Sequence, residues 1–343
     1  MSNRPIVLIG AGGIVESAHL PAYQKAGLKV IGITDLDQQK AWNIAKKFNV
    51  PNVYDSVHQA TIHAPEHAIF DIAIPASGLV DLLPTFRNGS TLLIQKPMGE
   101  NIKQARQIKQ ICRQKDFAAN INFQMRFAPQ VTEARKMISR GTIGKLHDIE
   151  MRVTVYTPWH LWDFLEECSR VEILYHSIHY IDLIRSFWGN PIGVLAKTTK
   201  HPEMMNMASS RSNIIMDYGD IKRANITTNH GHKYGLRHQE SYLKFEGTKG
   251  AIKIGFGLLM DYPKGTVDSF EYHILENQRE TEWISKEIGG TWFPDAFIGS
   301  ILNMMQPKYT EKRMDCTVED AYKTMACVEA AYQSNQSNLI PTD

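Results

Sequence analysis

Three short stretches carry side chains of the types and spacings that chemistry needs. The first is Gly10-Ala11-Gly12-Gly13-Ile14-Val15. It keeps the first two glycines of a G-x-G-x-x-G turn and places Val15 at the third. The first glycine permits the tight turn. Gly12, with Gly13 and Ile14 behind it, lets a pyrophosphate approach backbone N–H groups at a helix start. Asp35 follows Val15 by twenty positions, where a ribose-binding carboxylate belongs. A carboxylate there accepts from a 2′-hydroxyl and repels a 2′-phosphate, which favours NAD over NADP. Two plainer readings stay open: a glycine-rich turn that holds no ligand, and Asp35 as a helix N-cap. Val15 is the misfit, because a branched side chain there pushes helix and strand apart.

The second stretch, Leu93–Glu100, reads LIQKPMGE. An apolar run, Thr91–Ile94, ends abruptly in an amide, a cation and a proline. Pro97 fixes the chain and biases Lys96 toward an extended backbone. A partly desolvated ammonium at such a strand mouth can hydrogen-bond a hydroxyl or carbonyl oxygen and stabilise charge as hydride moves. A surface lysine before a turn is the alternative. The third stretch, Ile173–Arg185, reads ILYHSIHYIDLIR. On a helix Tyr175, His179 and Asp182 share a face, with His176 at its border. An imidazole suits removal of a proton from an alcohol while its carbon gives up hydride; a satisfied core histidine is the alternative. A phenol titrates near about 10, so Tyr175 can donate to a substrate but is no anion at neutral pH. His176-x-x-His179, joined by His160 or by His230 and His232, is not a strong zinc signature, so no metal is expected. Trp159-His160-Leu161-Trp162 offers aromatic faces that suit stacking on sugar rings. Asn229–His238 (NHGHKYGLRH) reads either as a polyol or sugar-acid contact or as an exposed loop.

The elements that position these stretches are legible as patterns. Strands are expected at Pro5–Ile9, Lys29–Thr34, Ile69–Ile74 (closed by Pro75), Thr91–Ile94 and Phe117–Asn122. Helices are expected at Glu16–Ala26, Leu36–Phe48, Leu79–Asn88 and Ile102–Gln114. Strand and helix in alternation argue a doubly wound parallel sheet. Its ligands bind outside the carboxyl ends of the strands, where the glycine turn, Pro75 and Lys96 fall. After residue 122 the grammar changes. His147–Thr157 alternates with period two, and strand-like runs recur at Ser212–Tyr218, Arg223–Asn229, Ser241–Glu246 and Ala251–Gly255. Helices are expected at Val131–Ser139, Ile173–Phe187 and Val318–Asn335. The expected fold is therefore α/β: an N-terminal Rossmann doubly wound parallel sheet over residues 1–122, and a C-terminal α+β domain with a mostly antiparallel sheet over residues 123–343.

Length and composition agree with two soluble globular domains: 343 residues, 43% hydrophobic, formal net charge +2. The scattered charges show no nucleic-acid footprint and no polybasic membrane patch. No apolar window approaches the roughly 20 residues of a membrane helix. The four cysteines lie far apart without CxxC spacing. MSNRPIVLIGAGG lacks the length and cleavage-site chemistry of a signal peptide. A reduced, cytoplasmic setting is expected.

Taken in order, several stretches resemble the glucose–fructose oxidoreductase / inositol dehydrogenase / MocA (Gfo/Idh/MocA) family along nearly the whole chain. They are Ala18-His19-Leu20-Pro21-Ala22, Thr34-Asp35-Leu36-Asp37, Gln95-Lys96-Pro97, Asn122–Pro129, Gly141–Lys145, Tyr242–Gly250 and Thr317–Ser334. Gln95 stands where the family carries Glu before Lys-Pro, and Tyr175 where its helix carries Asp in Asp-x-x-x-His-x-x-Asp. The resemblance implies an NAD-dependent dehydrogenase or reductase acting on a CH–OH group of a sugar, cyclitol or sugar-derived compound. With the resemblance added to the reading of the residues, Lys96, His179 and Tyr175 are expected in the chemistry, and Gly10, Gly12, Gly13, Ile14, Asp35, Pro75 and Lys96 at the cofactor. Arg126, Trp159, His176 and Asp182 go to the substrate. The resemblance further implies a homodimer or homotetramer formed through the C-terminal sheet. Val15, Gln95 and Tyr175 leave open a nucleotide-sensing protein that kept the fold and lost the chemistry. An eliminating enzyme that oxidises a sugar transiently with held NAD is the third reading.

Overall fold

The computed structural model describes residues 4–275, 282–305 and 316–337. The chain divides into two compact units: 1–128 with 293–325, and 129–292 with 326–343.

The first unit is built on five parallel strands: β1 (Ile6–Ile9), β2 (Val30–Thr34), β3 (Ile69–Ile72), β4 (Thr91–Gln95) and β5 (Ala118–Asn122), in the order β2-β1-β3-β4-β5. β1 and β3 are buried along their whole length, as near-continuous apolar runs in a two-sided sheet must be. The order reverses between β1 and β3, so the carboxyl ends of these two strands form the switch point. Asp37, not Asp35, caps the helix Gln38–Phe48: its side chain accepts from the Lys40 N–H. Asn101 caps Ile102–Gln114 in the same way.

Two expected helices differ in detail. The one opened by the glycine turn runs as a π-turn over Val15–His19 before becoming α-helical at Leu20–Lys25. Pro21 lacks the N–H that would close an ordinary turn, and the wider turn buries the branched Val15. The expected helix at 79–88 is only Leu79–Leu82, flanked by 3₁₀ turns, because Pro84 cannot continue the ladder. A helix at Val57–His63, capped by Ser56, has no counterpart in the sequence reading.

The expected boundary after residue 122 also changes. The helix Asp295–Met305 packs Phe297, Ile301 and Met304 against Ile6, Leu8, Ile33, Ile69 and Leu93. Ser300 donates to Asn122 Oδ1 at 2.7 Å, and the Ile121 N–H donates to the Cys316 carbonyl at 2.9 Å. A core this apolar needs covering on both faces, and a late segment of the chain supplies part of the cover.

The second unit carries an eight-stranded sheet, ordered β13-β12-β11-β10-β6-β9-β8-β7. Its strands are β6 (Leu146–Thr154), β7 (Gly193–Thr199), β8 (Arg211–Asp217), β9 (Arg223–Asn229), β10 (Glu240–Gly247), β11 (Gly250–Gly255), β12 (Ser269–Ile274) and β13 (Ile284–Ser285). Within this second sheet, β6 and β9 are the only parallel pair among the described strands. Ile149, Met151, Val153, Ile226, Leu243, Phe245, Ile252 and Ile254 fill the buried face. Phe187 of the helix Ile178–Trp188 meets Phe245 there, with ring centroids 4.8 Å apart.

Candidate active site

Each unit carries its own set of candidate groups. In the first, Gly10 has φ +109°, and a Cβ on it would lie 2.4 Å from the Ala73 carbonyl oxygen. No side chain fits where the end of β1 passes the end of β3. Gly12 and Gly13 differ: nothing lies within 4 Å of where a Cβ would stand. That open backbone, at the start of a helix, is what an incoming phosphate requires. Asp35 draws the turn toward the end of β2. Its Oδ2 accepts from the Ala11 N–H at 2.6 Å and its Oδ1 from the Asp37 N–H at 2.8 Å. An ionised carboxylate has about four lone-pair sites, so acceptor capacity remains for a ribose hydroxyl. The residues present thus fit a dinucleotide. Ile14 and Pro75 are exposed at the same strand ends, and the Pro75 carbonyl accepts from the Gly78 N–H at 3.1 Å.

Lys96 stands at the carboxyl end of β4, and its bond to Pro97 is cis. Its backbone N–H donates to Gln95 Oε1 at 2.8 Å. Part of its surface reaches solvent, yet burial strips enough hydration to bring the ammonium down to about 8. Arg126 takes a different place from the expected one. It is 3% exposed, and its guanidinium pairs with Asp320 at 2.7 Å, tying 124–127 to the helix Val318–Gln336.

In the second unit the key helix is not uniformly α-helical. Glu172–Ser177 is a π-helix and Ile178–Trp188 an α-helix. His179 and Asp182 both lie in the α-helical part, one turn apart, so their shared face stands. That spacing does not extend to Tyr175, because a π-turn holds more residues per turn. Tyr175 packs against a cluster of Trp159, Leu165, Val171 and Met207. Its hydroxyl lies 3.7 Å from the Cys168 thiol, which donates to it. Its ring meets Phe164 at 5.8 Å. His176 is half-buried between Trp159 and His230, with ring centroids at 4.9 and 4.6 Å. The structure therefore brings Trp159 and His176 together, with Trp159 only 5% exposed.

A buried acid missing from the sequence reading lies behind them. Glu172 and His230 are both fully buried, with Nε2 3.5 Å from Oε1, an ion-pair distance rather than a hydrogen bond. Ser177 donates to the same Oε1 at 2.7 Å, and Thr157 Oγ1 lies 2.8 Å from His230 Nδ1. Burial pushes the Glu172 carboxyl up, but His230 and the Ser212 and Ser177 hydroxyls outweigh it and hold the group below its ordinary value. No local spacing announces this pair, because its members come from a helix and from the end of β9. The run Asn229–His238 is accordingly no single patch: His230 is buried while Lys233 pairs with Glu203 at the surface. Among the described residues no group of three or more His, Cys, Asp or Glu is arranged to hold a metal ion.

A parallel sheet with a phosphate-ready glycine turn and a carboxylate closing on it defines a dinucleotide-binding enzyme of the Rossmann class. Residues 4–123 match the NAD-binding Rossmann domain of the Gfo/Idh/MocA oxidoreductase family, and residues 135–341 match the C-terminal alpha/beta domain of that family. The chain belongs to this family and is an oxidoreductase with an NAD-binding domain. Among its relatives, trans-1,2-dihydrobenzene-1,2-diol dehydrogenase of Xenopus tropicalis is 25% identical over 70% of each chain. The 1,5-anhydro-D-fructose reductase of Ensifer adhaerens is 22% identical over 76% of this chain and 78% of its own. An oxidoreductase from Agrobacterium radiobacter, solved with NAD+, L-tartaric acid and magnesium, superposes with a TM-score of 0.77. It is 17% identical, over 97% of this chain and 96% of its own. No helix of the described residues is long and apolar enough to cross a membrane.

Proposed function

We propose that this oxidoreductase uses NAD in preference to NADP and exchanges hydride with a CH–OH or C=O carbon of a sugar, cyclitol or sugar-derived compound. The observation that carries the reading is Lys96, a cation at a strand's carboxyl end whose burial brings it within reach of neutral pH. The dinucleotide, when bound, accepts or supplies the hydride. Gly12 and Gly13 leave backbone open to its phosphates, Asp35 accepts from a ribose hydroxyl, and Ile14 and Pro75 border it. Lys96 donates to the reacting oxygen and stabilises its developing charge. In the oxidative direction His179 takes the hydroxyl proton, with Asp182 one turn further along the helix. Trp159 and His176 face the substrate's ring, and Tyr175 supports that wall from behind. A ring-borne hydroxyl or ketone is supported by relatives named for a cyclic vicinal diol and for an anhydro sugar.

Lys96→Ala and His179→Ala should each lower kcat by roughly 10²–10⁴ on a sugar and polyol panel, with NAD affinity by fluorescence titration little changed. Retained turnover in both would remove these roles. A nucleotide-sensing protein is the second reading, favoured by Tyr175 in an apolar cluster where the family carries a carboxylate. NAD binding without turnover across the panel would select it. None of the four cysteines is disulfide-bonded, which suits a reducing, cytoplasmic compartment. Self-association through the second unit's sheet is supported by Leu195 and Ile215, cross-strand partners on β7 and β8 that are 62% and 51% exposed.

A further inference from the structure

Next to Lys96, the first unit contains a polar chain that hydride transfer does not use. Tyr23 donates to Asp71 Oδ2 at 2.7 Å, and His19 Nδ1 lies 2.6 Å from the same oxygen. His19 Nε2 lies 3.1 Å from Gln95 Nε2, and Gln95 Oε1 accepts from the Lys96 N–H at 2.8 Å. Tyr23, His19 and Asp71 are fully buried. The groups facing the imidazole are Asp71 from β3, Tyr23 from its own helix, Gln95 from β4, and the Phe297 ring at 4.9 Å.

Donor and acceptor chemistry leaves one arrangement. A backbone N–H can only donate, so Gln95 must turn its carbonyl oxygen to Lys96 and its NH₂ to His19. The NH₂ can only donate, so His19 Nε2 must carry no proton. The remaining ring proton sits on Nδ1 and points at Asp71. Burial, and then the Asp71 charge, push the Tyr23 phenol well up, so it stays a donor to the same carboxylate. An imidazolium would set two donors against each other at Gln95.

We infer that Gln95 is a positioning residue that fixes the Lys96 backbone, and that Asp71 and His19 clamp Gln95 through a neutral, Nδ1-protonated imidazole. The inference rests on the proposed role of Lys96. A glutamate at position 95 would accept from both Lys96 N–H and His19 Nε2–H, so the ring between two carboxylates would take up a proton. Glutamine forbids that proton and keeps the chain charge-fixed.

The test joins spectroscopy to kinetics. Imidazole ¹⁵N resonances of the whole protein at neutral pH should show His19 with a protonated Nδ1 and a bare Nε2, and Gln95→Glu should protonate both. A wild-type Nε2–H tautomer, or an imidazolium, would overturn the clamp. Gln95→Leu should lower kcat by about tenfold, the size of the lost hydrogen bond that holds the Lys96 N–H, with KM for NAD within about twofold. In a Lys96→Ala background the same substitution should change nothing further. A second tenfold drop there would show a general structural role and end the positioning claim. Full turnover of Lys96→Ala would instead end the assignment of Lys96, and the tautomer readout, which needs no turnover, would still judge the clamp.

Discussion

The lowered ammonium of Lys96 has a direct kinetic consequence. A lysine at its ordinary value of 10.5 stays charged through any usual assay range, but Lys96 is brought to about 8 by lost hydration. The charged form is the low-pH form, so activity that needs the ammonium must fall as pH rises through 8. Working from that value, about ten ammonium groups exist per amine at pH 7, half at pH 8, and roughly one in eleven at pH 9. The alkaline limb of log kcat/KM should therefore approach a slope of about −1 above pH 8. Initial rates of NADH formation or consumption across pH 6–10 would measure it, with NAD affinity titrated separately at each pH. Lys96→Arg supplies the control: a guanidinium keeps its charge throughout, so the residual activity should lose the limb. A wild-type profile that stays flat to about pH 10, or an identical limb in Lys96→Arg, would refute the reasoning.

Asp35→Asn removes a charge while keeping an acceptor for Ala11, so NAD discrimination over NADP, read as a ratio of kcat/KM, should fall by about tenfold or more. Wild-type preference for NADP would contradict the role given to the carboxylate. Gly10→Ala sets a Cβ 2.4 Å from the Ala73 oxygen in a left-handed conformation, and should lower Tm by about 5–10 °C or prevent folding. Leu195→Asp with Ile215→Asp should convert an oligomer to a single chain's mass in light scattering, if the exposed sheet face pairs copies.

The first unit was legible in the sequence because parallel strands are buried on both faces and spell themselves as apolar runs: IVLI, VIGIT and TLLIQ need no partner to be recognised. Lys96 was legible for a related reason, since Pro97 ends the run and puts the cation at its mouth. Asp71 could have been noticed: a charge inside the strand IFDI must find partners, and it found His19 and Tyr23. Other features were out of reach. The helix at Val57–His63 is too polar to show a stripe. The π-turn ahead of His179 is a matter of hydrogen-bond register that α-helical spacing does not encode. The Glu172–His230 pair joins residues 58 positions apart, and only the pairing of β6 with β9 brings Thr157 beside them. The burial of Arg126 and its pairing with Asp320 were likewise out of reach, because the counter-ion lies 194 positions away in the sequence.

The late segment that completes the first core sets an order of events during synthesis. Phe297, Ile301 and Met304 lie far downstream of the strands whose side chains they pack against. A nascent chain that has emerged only as far as β5 holds every strand of the nucleotide unit but an open hydrophobic flank. That flank cannot close until the ribosome has also delivered the whole intervening sheet. A fragment ending at residue 122 should accordingly be sticky and poorly soluble, and the unit's completion belongs to the last stage of translation rather than the first.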